Sequence, residues 1–306
     1  VGKLLTGMIV ALLGEEQGNG DFFVREVILP GLQPQKSLAV LGGDSYVALV
    51  SGLSVGHPKY SPLLCQLMAD YITGLVGNSM EQNNMATVVR LIVAGNTVAA
   101  PELTADIFDV RGSLRPRETA SLVLPMKHAD LLFTQIASSL HVDLMPGDSD
   151  PCNNSLPQQP IYPAMLPKSS KYSTMHLVTN PYDCSVHGVR MLGTSGQNLL
   201  DVKQYTTLEN PIDMLQTVLE AAHIAPTAPD TLDSYPFTDR DPFVIKETPH
   251  IFFAGNQATF EAKLWKHDKK QVLLLSVPSF ITTPALVLVN LRTLDAHTVA
   301  FGGPSI

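Results

Sequence analysis

The sequence predicts an α/β fold in which two β-sheets pack together between flanking helices, preceded by part of a smaller β unit. Three observations support this. An apolar run ends in a glycine-containing loop three times, at Tyr46–Gly56 (YVALVSGLSVG), Leu91–Asn96 (LIVAGN) and Val142–Pro151 (VDLMPGDSDP). Segments with apolar residues at helical spacing separate these runs. Further apolar runs of strand length follow near the carboxyl terminus. Strand, loop and helix in this order describe a layered sheet, whose ligands bind beyond the carboxyl ends of the strands.

From the amino end, Leu4–Leu13 and Phe22–Leu29 read as two strands joined by a turn containing Gly18, Asn19 and Gly20. Two strands cannot bury a core alone, so they belong to a larger β unit. Adjacent Phe22 and Phe23 point to opposite faces, and packing is expected for at least one of them. The opening apolar run is interrupted by Thr6 and Gly7 and precedes no cleavage-type site, which argues against a signal peptide. Because residue 1 is Val, the native amino terminus is expected upstream.

A Pro- and Gly-punctuated connector, GLQPQKSLAVLGGD, leads into the first apolar strand. Pro62 then starts a helix in which Leu63, Leu64, Leu67, Met68, Tyr71, Ile72 and Leu75 recur at helical spacing before Gly77. Pro101–Glu118, with Arg111, Arg115, Pro116 and Arg117, reads as a surface loop or short helix. A further helix is expected over Ala129–Leu140, flanked by His128 and His141 as exposed or capping residues.

Ser155–Pro167 (SLPQQPIYPAMLP) contains four prolines, which stiffen an extended backbone. It is expected to expose Ile161, Tyr162, Met165 and Leu166, either as a rigid loop over the strand ends or as a docking edge. LVTNPY and HGVRMLGTSGQN supply two strands, with a helix at Pro211–Ala222. GTSGQN is not expected to cradle phosphate, because a lone Gly-x-x-Gly is weak and no apolar helix is expected to open directly from it. His223–Phe237 (HIAPTAPDTLDSYPF) reads as a loop rimming the strand ends.

HIFFAGNQATF, QVLLLSVPSF and ALVLVNL read as three strands of the second sheet. Lys263–Lys270 (KLWKHDKK) is the densest basic patch and reads as a solvated hairpin tip. Val272–Leu291 is nearly as apolar as a membrane span, but Pro278 and Pro284 divide it into strand-length pieces.

Composition narrows the function classes. Apolar residues make up 45% and charged residues 16%, the balance of a folded, well-buried chain. A net charge of −8 argues against independent tracking of duplex DNA, which needs clustered Lys and Arg. Cys65, Cys152 and Cys184 form neither a zinc spacing nor an even disulfide set, so a reducing compartment is expected.

The three strand-loop runs resemble those of calcineurin-like metallophosphoesterases, and within them the B subunits of replicative DNA polymerases; the resemblance covers nearly the whole chain. It implies a calcineurin-like phosphoesterase sandwich over residues 45–306, preceded by part of an OB-type β-barrel and connector over residues 1–44. Active members hold two metals with Asp-x-His, Gly-Asp-x-x-Asp, Gly-Asn-His-Asp/Glu, a lone His and Gly-His-x-His, because carboxylate and imidazole must position the cations that activate water. Laid on that pattern, the first pair falls on Gly52 and Ser54. The second loop reads Gly95 and Asn96, with Ala99 at the later Asp, and the third reads Gly147, Asp148 and Ser149. The lone His falls on Ser195, and the last motif reads Gly255, Asn256, Gln257 and Ala258.

Every imidazole is missing. The expectation is therefore no catalytic, cofactor-binding or metal-binding residue and no cofactor: Asn96, Asp148 and Asp150 are read as turn and hydrogen-bonding residues. Catalytic roles for His223, Asp230 or Asp233 would need partners that the other loops lack. LPQQP and APTAPDTL resemble the δ type of these B subunits. The resemblance implies a non-catalytic nuclear scaffold that binds the Cys-rich carboxyl-terminal domain of a polymerase catalytic subunit and a third accessory subunit linking to the sliding clamp. DNA contact would be indirect, with no membrane. The alternatives are the α or ε type of the same family, a metal-dependent phosphodiesterase or exonuclease, and direct single-strand binding through the barrel.

Overall fold

The computed structural model describes residues 4–100 and 116–302, and the side chains of residues 116–122 are outside the description. The predicted polar stretch therefore lies outside it up to residue 115. The strands in chain order are β1 (Ala11–Glu16), β2 (Phe22–Ile28), β3 (Tyr46–Val50), β4 (Val88–Ala94), β5 (His141–Met145), β6 (Met175–Leu177), β7 (Tyr182–Val186), β8 (Val189–Thr194), β9 (Ile251–Gln257), β10 (Glu261–His267), β11 (Lys270–Pro278), β12 (Ala285–Asn290) and β13 (Ala296–Ala300). The helices are α1 (Pro62–Ile72), α2 (Ser79–Met85), α3 (Pro116–Ala137), α4 (Gln197–Val202) and α5 (Pro211–Glu220).

A six-stranded sheet runs β13-β12-β3-β4-β5-β6 and a five-stranded sheet runs β10-β11-β9-β8-β7. Alternation along each strand decides which layer a side chain enters. Val47 and Leu49 of β3 meet Ile251 and Phe253 of β9 in the core between the sheets. Their neighbours Ala48 and Val50 face outward against α1 and α3, through Met68, Phe133 and Ile136. On the other side, Phe252 and Ala254 pack with Leu199 of α4 and Leu215 and Val218 of α5. The result is a four-layer sandwich, helix on sheet on sheet on helix.

Local chemistry sets the helix starts. Ser61 accepts the Leu64 amide at the head of α1, with Pro62 in the first turn. Asn78 and Glu81 form a reciprocal capping box on α2, and Asn210 caps α5. The α3 helix starts well before the expected Ala129 and contains Pro125. That ring packs against Gly56, where a Cβ would stand 2.6 Å from Pro125 Cγ. Packing thus holds a proline that local propensity would have used to end the helix.

Several expectations are corrected by non-local contacts. ALVLVNL is not in the second sheet: β12 crosses over to pair antiparallel with β3, with Val287 opposite Leu49. A helix does open from GTSGQN, at Gln197, because Leu199 and Val202 of α4 bury on the five-stranded sheet. Ile161 and Leu166 are fully buried, whereas Tyr162 and Met165 are exposed as expected. The first strand begins at Ala11 rather than Leu4, since Leu5 instead packs into the core around α5.

β1 and β2 form a separate two-stranded ribbon, with a bulge at Leu13/Gly14 and nearly every residue exposed. The connector behind it is bound to the body. Gln35 donates to the carbonyls of Pro249 and Gln271 and accepts from the Gln271 amide, and Thr248 donates to Pro34. Arg90 of β4 pairs with the fully buried Asp143 of β5 at 2.8 Å. Tyr182 of β7 donates to the same carboxylate at 2.9 Å and so joins the two sheets. The basic KLWKHDKK patch is the β10–β11 hairpin, as expected. None of the described helices is long and apolar enough to cross a membrane.

Candidate functional site

Five glycine-containing segments, the loops after β3, β4, β5 and β8 and the end of β9, converge at one end of the sandwich. Gly52 donates to the Gly95 carbonyl at 2.9 Å, and Ser54 donates to Asn96 at 3.0 Å. Asn256 donates through its side chain to the carbonyls of Ala94 (3.2 Å) and Ser195 (2.8 Å). Its main-chain amide donates to Ser51 Oγ at 2.8 Å. Positions that the sequence places on the two-metal pattern are thus brought together.

Backbone strain gathers there as well. Ser54 (φ 48°), Asn96 (φ 55°) and Asn256 (φ 56°) are three of seven non-glycine residues in the left-handed region among the described residues. Such conformations persist only where the surroundings hold them. Gly52 itself has φ +63°, and a Cβ on it would lie 2.1 Å from Ser279 Oγ and 2.8 Å from Asn256 Oδ1. A Cβ on Gly147 would lie 2.2 Å from Asn96 Oδ1 and 2.3 Å from Asn96 N. The loops have closed onto one another.

The donor set does not fit a pair of cations. Asp148 is exposed, and Asp150 is buried with its oxygens already accepting the amides of Val98 (3.0 Å) and Gly147 (2.8 Å). Burial pushes the Asp150 carboxyl up to about 6, while backbone amides of Val98, Thr97, Gly147 and Asn96 hold it from rising further. Ser149 donates to the Val98 carbonyl, and its amide donates to Asn96 Oδ1. Ala99 uses its amide to bond Val55. Among the described residues, no three His, Cys, Asp or Glu side chains stand close enough to hold a metal ion.

A neutral amide network covers this end. Asn180 accepts the Ser195 amide at 3.1 Å, and its Nδ2 lies 2.8 Å from Ser195 Oγ, 2.8 Å from Gln158 Oε1 and 2.6 Å from Gln197 Oε1. Ser195 Oγ donates to Gln197. Gln158, from the proline-rich segment, donates to the carbonyls of Gly147 (3.1 Å) and Asn153 (3.0 Å). The segment therefore closes over the loop ends through a side chain that is fully buried. Asn180 and Gln197 carried no signal in the sequence, because uncharged amides belong to no metal or nucleophile pattern.

The other candidates lie apart. His223 pairs with Asp241 at 2.9 Å beside Phe243, and Asp230 and Asp233 are exposed. None of the three hydrogen-bonds to the five loops. His128 is exposed, and exposed His141 shares a 3.3 Å ring contact with His176. The thiols are free: burial raises Cys65 to about 11 and both Cys152 and Cys184 to about 12, so none is a thiolate at neutral pH.

The family model for the B subunits of DNA polymerase alpha/epsilon matches residues 47–262. The DNA polymerase delta small subunit of Arabidopsis thaliana is 42% identical over 300 residues, covering 97% of this chain and 67% of that protein. DNA polymerase delta subunit 2 of Drosophila melanogaster is 37% identical over 302 residues (98% and 69%), and the delta small subunit of Saccharomyces cerevisiae is 31% identical over 330 (96% and 65%). The chain thus spans about two thirds of these relatives. Among solved structures, an archaeal phosphodiesterase aligns with 83% of this chain and 99% of its own at 10% identity and a TM-score of 0.39.

Proposed function

The chain belongs to the B-subunit family of DNA polymerase alpha/epsilon, and on that premise we propose that it works as the delta-type accessory subunit of a replicative DNA polymerase, as a scaffold without chemistry of its own. The non-catalytic reading rests on one observation above all. The loop ends that would present carboxylate and imidazole instead meet each other, with Asn256 and Ser279 occupying the space a side chain at position 52 would need. Water activation between two cations has no ligands here.

On this reading the useful property is surface. The catalytic subunit, through its Cys-rich carboxyl-terminal domain, and a third accessory subunit leading to the sliding clamp are the proposed partners. The proposed compartment is the nucleus, and DNA is contacted through those partners. The ribbon β1–β2, residues 1–44 with its connector, is proposed to be part of an OB-type barrel, and residues 45–306 to be the phosphoesterase-like domain. Exposed Leu12, Leu13, Phe22, Phe23 and Ile28 on that ribbon support the proposal, since a lone two-stranded ribbon is marginal in water.

Co-expression with the carboxyl-terminal domain of a delta-type catalytic subunit tests the assignment. A stoichiometric complex that melts above the chain alone is expected. Absence of complex, together with Mn²⁺-dependent nuclease activity of the chain, would overturn both the partner and the non-catalytic reading.

A further inference from the structure

β7 is an edge strand, and its outer side carries main-chain groups with no partner among the described residues. His187 (φ 50°) and Gly188 (φ 80°) make the two-residue turn of the β7–β8 hairpin. In such a hairpin the flanking pair, here Val186 and Val189, exchanges both main-chain bonds, and bonded pairs alternate from there. Cys184–Met191 and Tyr182–Gly193 are therefore bonded pairs. Asp183 and Ser185 turn their N–H and C=O groups away from β8, both residues are exposed, and neither has a further main-chain partner among the described residues.

Beside this edge lies a groove of about 550 Å³, bounded by Asp183, Leu192, Ile224, Arg240, Val244 and Lys246. One wall is the stretch 240–246, tied back by the Ile224 amide to Phe243 O and the Ile245 amide to Ala222 O. That pairing leaves the Val244 main chain pointing away from His223. The charges in the groove are unevenly matched. Arg190 is held by Asp183 at 2.6 Å and Glu247 at 3.5 Å, and Asp241 is held by His223. Arg240 and Lys246 are exposed and have no ion-pair partner among the described residues.

We infer that this edge and groove receive an extended acidic segment of a partner protein, added as a strand alongside β7. Its main chain pairs with Asp183 and Ser185, an apolar side chain covers Leu192 and Ile224, and carboxylates meet Arg240 and Lys246. Strand addition of this kind draws affinity from main-chain bonds and specificity from the neighbouring pocket. A basic strand is excluded by like charge, and a neutral one would cover two cations without pairing them. The surface is separate from the closed loop cluster, and its occupation does not depend on which polymerase type the chain serves.

The test is selection of a phage-displayed random decapeptide library on the whole immobilised chain. The Arg240→Glu/Lys246→Glu double variant serves as control, both side chains being exposed and outside the core. Enriched peptides are expected to be acidic and proline-poor, to slow amide exchange over 182–186, and to lose roughly tenfold or more in affinity on the double variant and in high salt. Circular dichroism melting checks that the double variant is folded. Enrichment of basic or neutral peptides, protection mapping elsewhere, indifference to the charge reversal, or no enrichment at all would each overturn the inference.

Discussion

Asn256 donates its side-chain amide to the Ser195 carbonyl at 2.8 Å, and this bond closes the end of β9 onto the loop after β8. The resemblance lays both positions on histidines of the two-metal pattern, and here the Asn256 side chain holds backbone while Ser195 Oγ bonds Gln197. The loop ends meet in a hydrogen-bonded seam, and its stability can be measured.

Restoring one carboxylate at that seam is expected to damage it. In Gly52→Asp, the new Cβ meets Ser279 Oγ at 2.1 Å in a left-handed backbone. A loss of about 2–4 kcal/mol is expected from overpacking and strain together. Urea denaturation measures the loss, and calorimetric titration with Mn²⁺ should show no stoichiometric uptake. A variant as stable as the parent that binds the metal would mean the seam is still a site.

Asn180 is expected to behave as the keystone of the amide network. Asn180→Ala leaves the Ser195 amide without its acceptor at a buried position and takes one donor each from Gln158 Oε1 and Gln197 Oε1, which keep Gln197 Nε2 and Ser195 Oγ. Unsatisfied buried groups cost about 1–3 kcal/mol each, with partial relief by rearrangement. A drop of about 2–4 kcal/mol is expected, non-additive with Gln158→Ala in a double-mutant cycle. Additive effects would show that the two amides act independently.

The buried carboxyl of Asp150 predicts a pH dependence of defined sign. Its folded value is raised to about 6 against an ordinary 3.8, burial being the main cause. The native state therefore keeps its proton where the unfolded chain has lost it. The contribution of this group to stability is greatest below 3.8, falls as pH rises from about 4 to about 6, and is level above. The size is on the order of 3 kcal/mol. Urea midpoints for Asp150→Asn should show a pH 4-to-7 slope flattened by that amount relative to the parent; an unchanged slope would place the titration elsewhere.

The β1–β2 ribbon makes a prediction about handling rather than fold. Phe22 and Ile28 are each about half exposed and, because the bulge breaks the alternation, lie on opposite faces of β2. Phe22→Ser with Ile28→Thr should raise the monomer fraction of the isolated chain in size-exclusion chromatography and shift unfolding by no more than about 1 kcal/mol. It should also weaken capture of a partner that covers the ribbon. Unchanged aggregation would show that other surface, such as exposed Leu63 and Leu75, dominates.

The sequence alone determined what depends on local order and residue type. The helix start at Pro62, the apolar run of β3 and the β10–β11 hairpin are properties of short windows and are present in the structure, although α1 stops at Ile72, short of Leu75. The absence of imidazole at Ser54, Ser149, Ser195, Asn256 and Ala258 is a matter of composition at five positions, readable without coordinates. Tertiary structure alone decided how distant segments meet. An apolar strand is equally buried in either sheet, so only packing could send β12 to β3 rather than beside β11. Likewise, Pro125 remains in a helix because Gly56 makes room for its ring, and Ile161 and Leu166 turn inward because the proline-rich segment is anchored by Gln158. Gln158, Asn180 and Gln197 are polar residues with nothing to distinguish them until folding puts them within hydrogen-bonding reach, where burial away from water makes each partner obligatory.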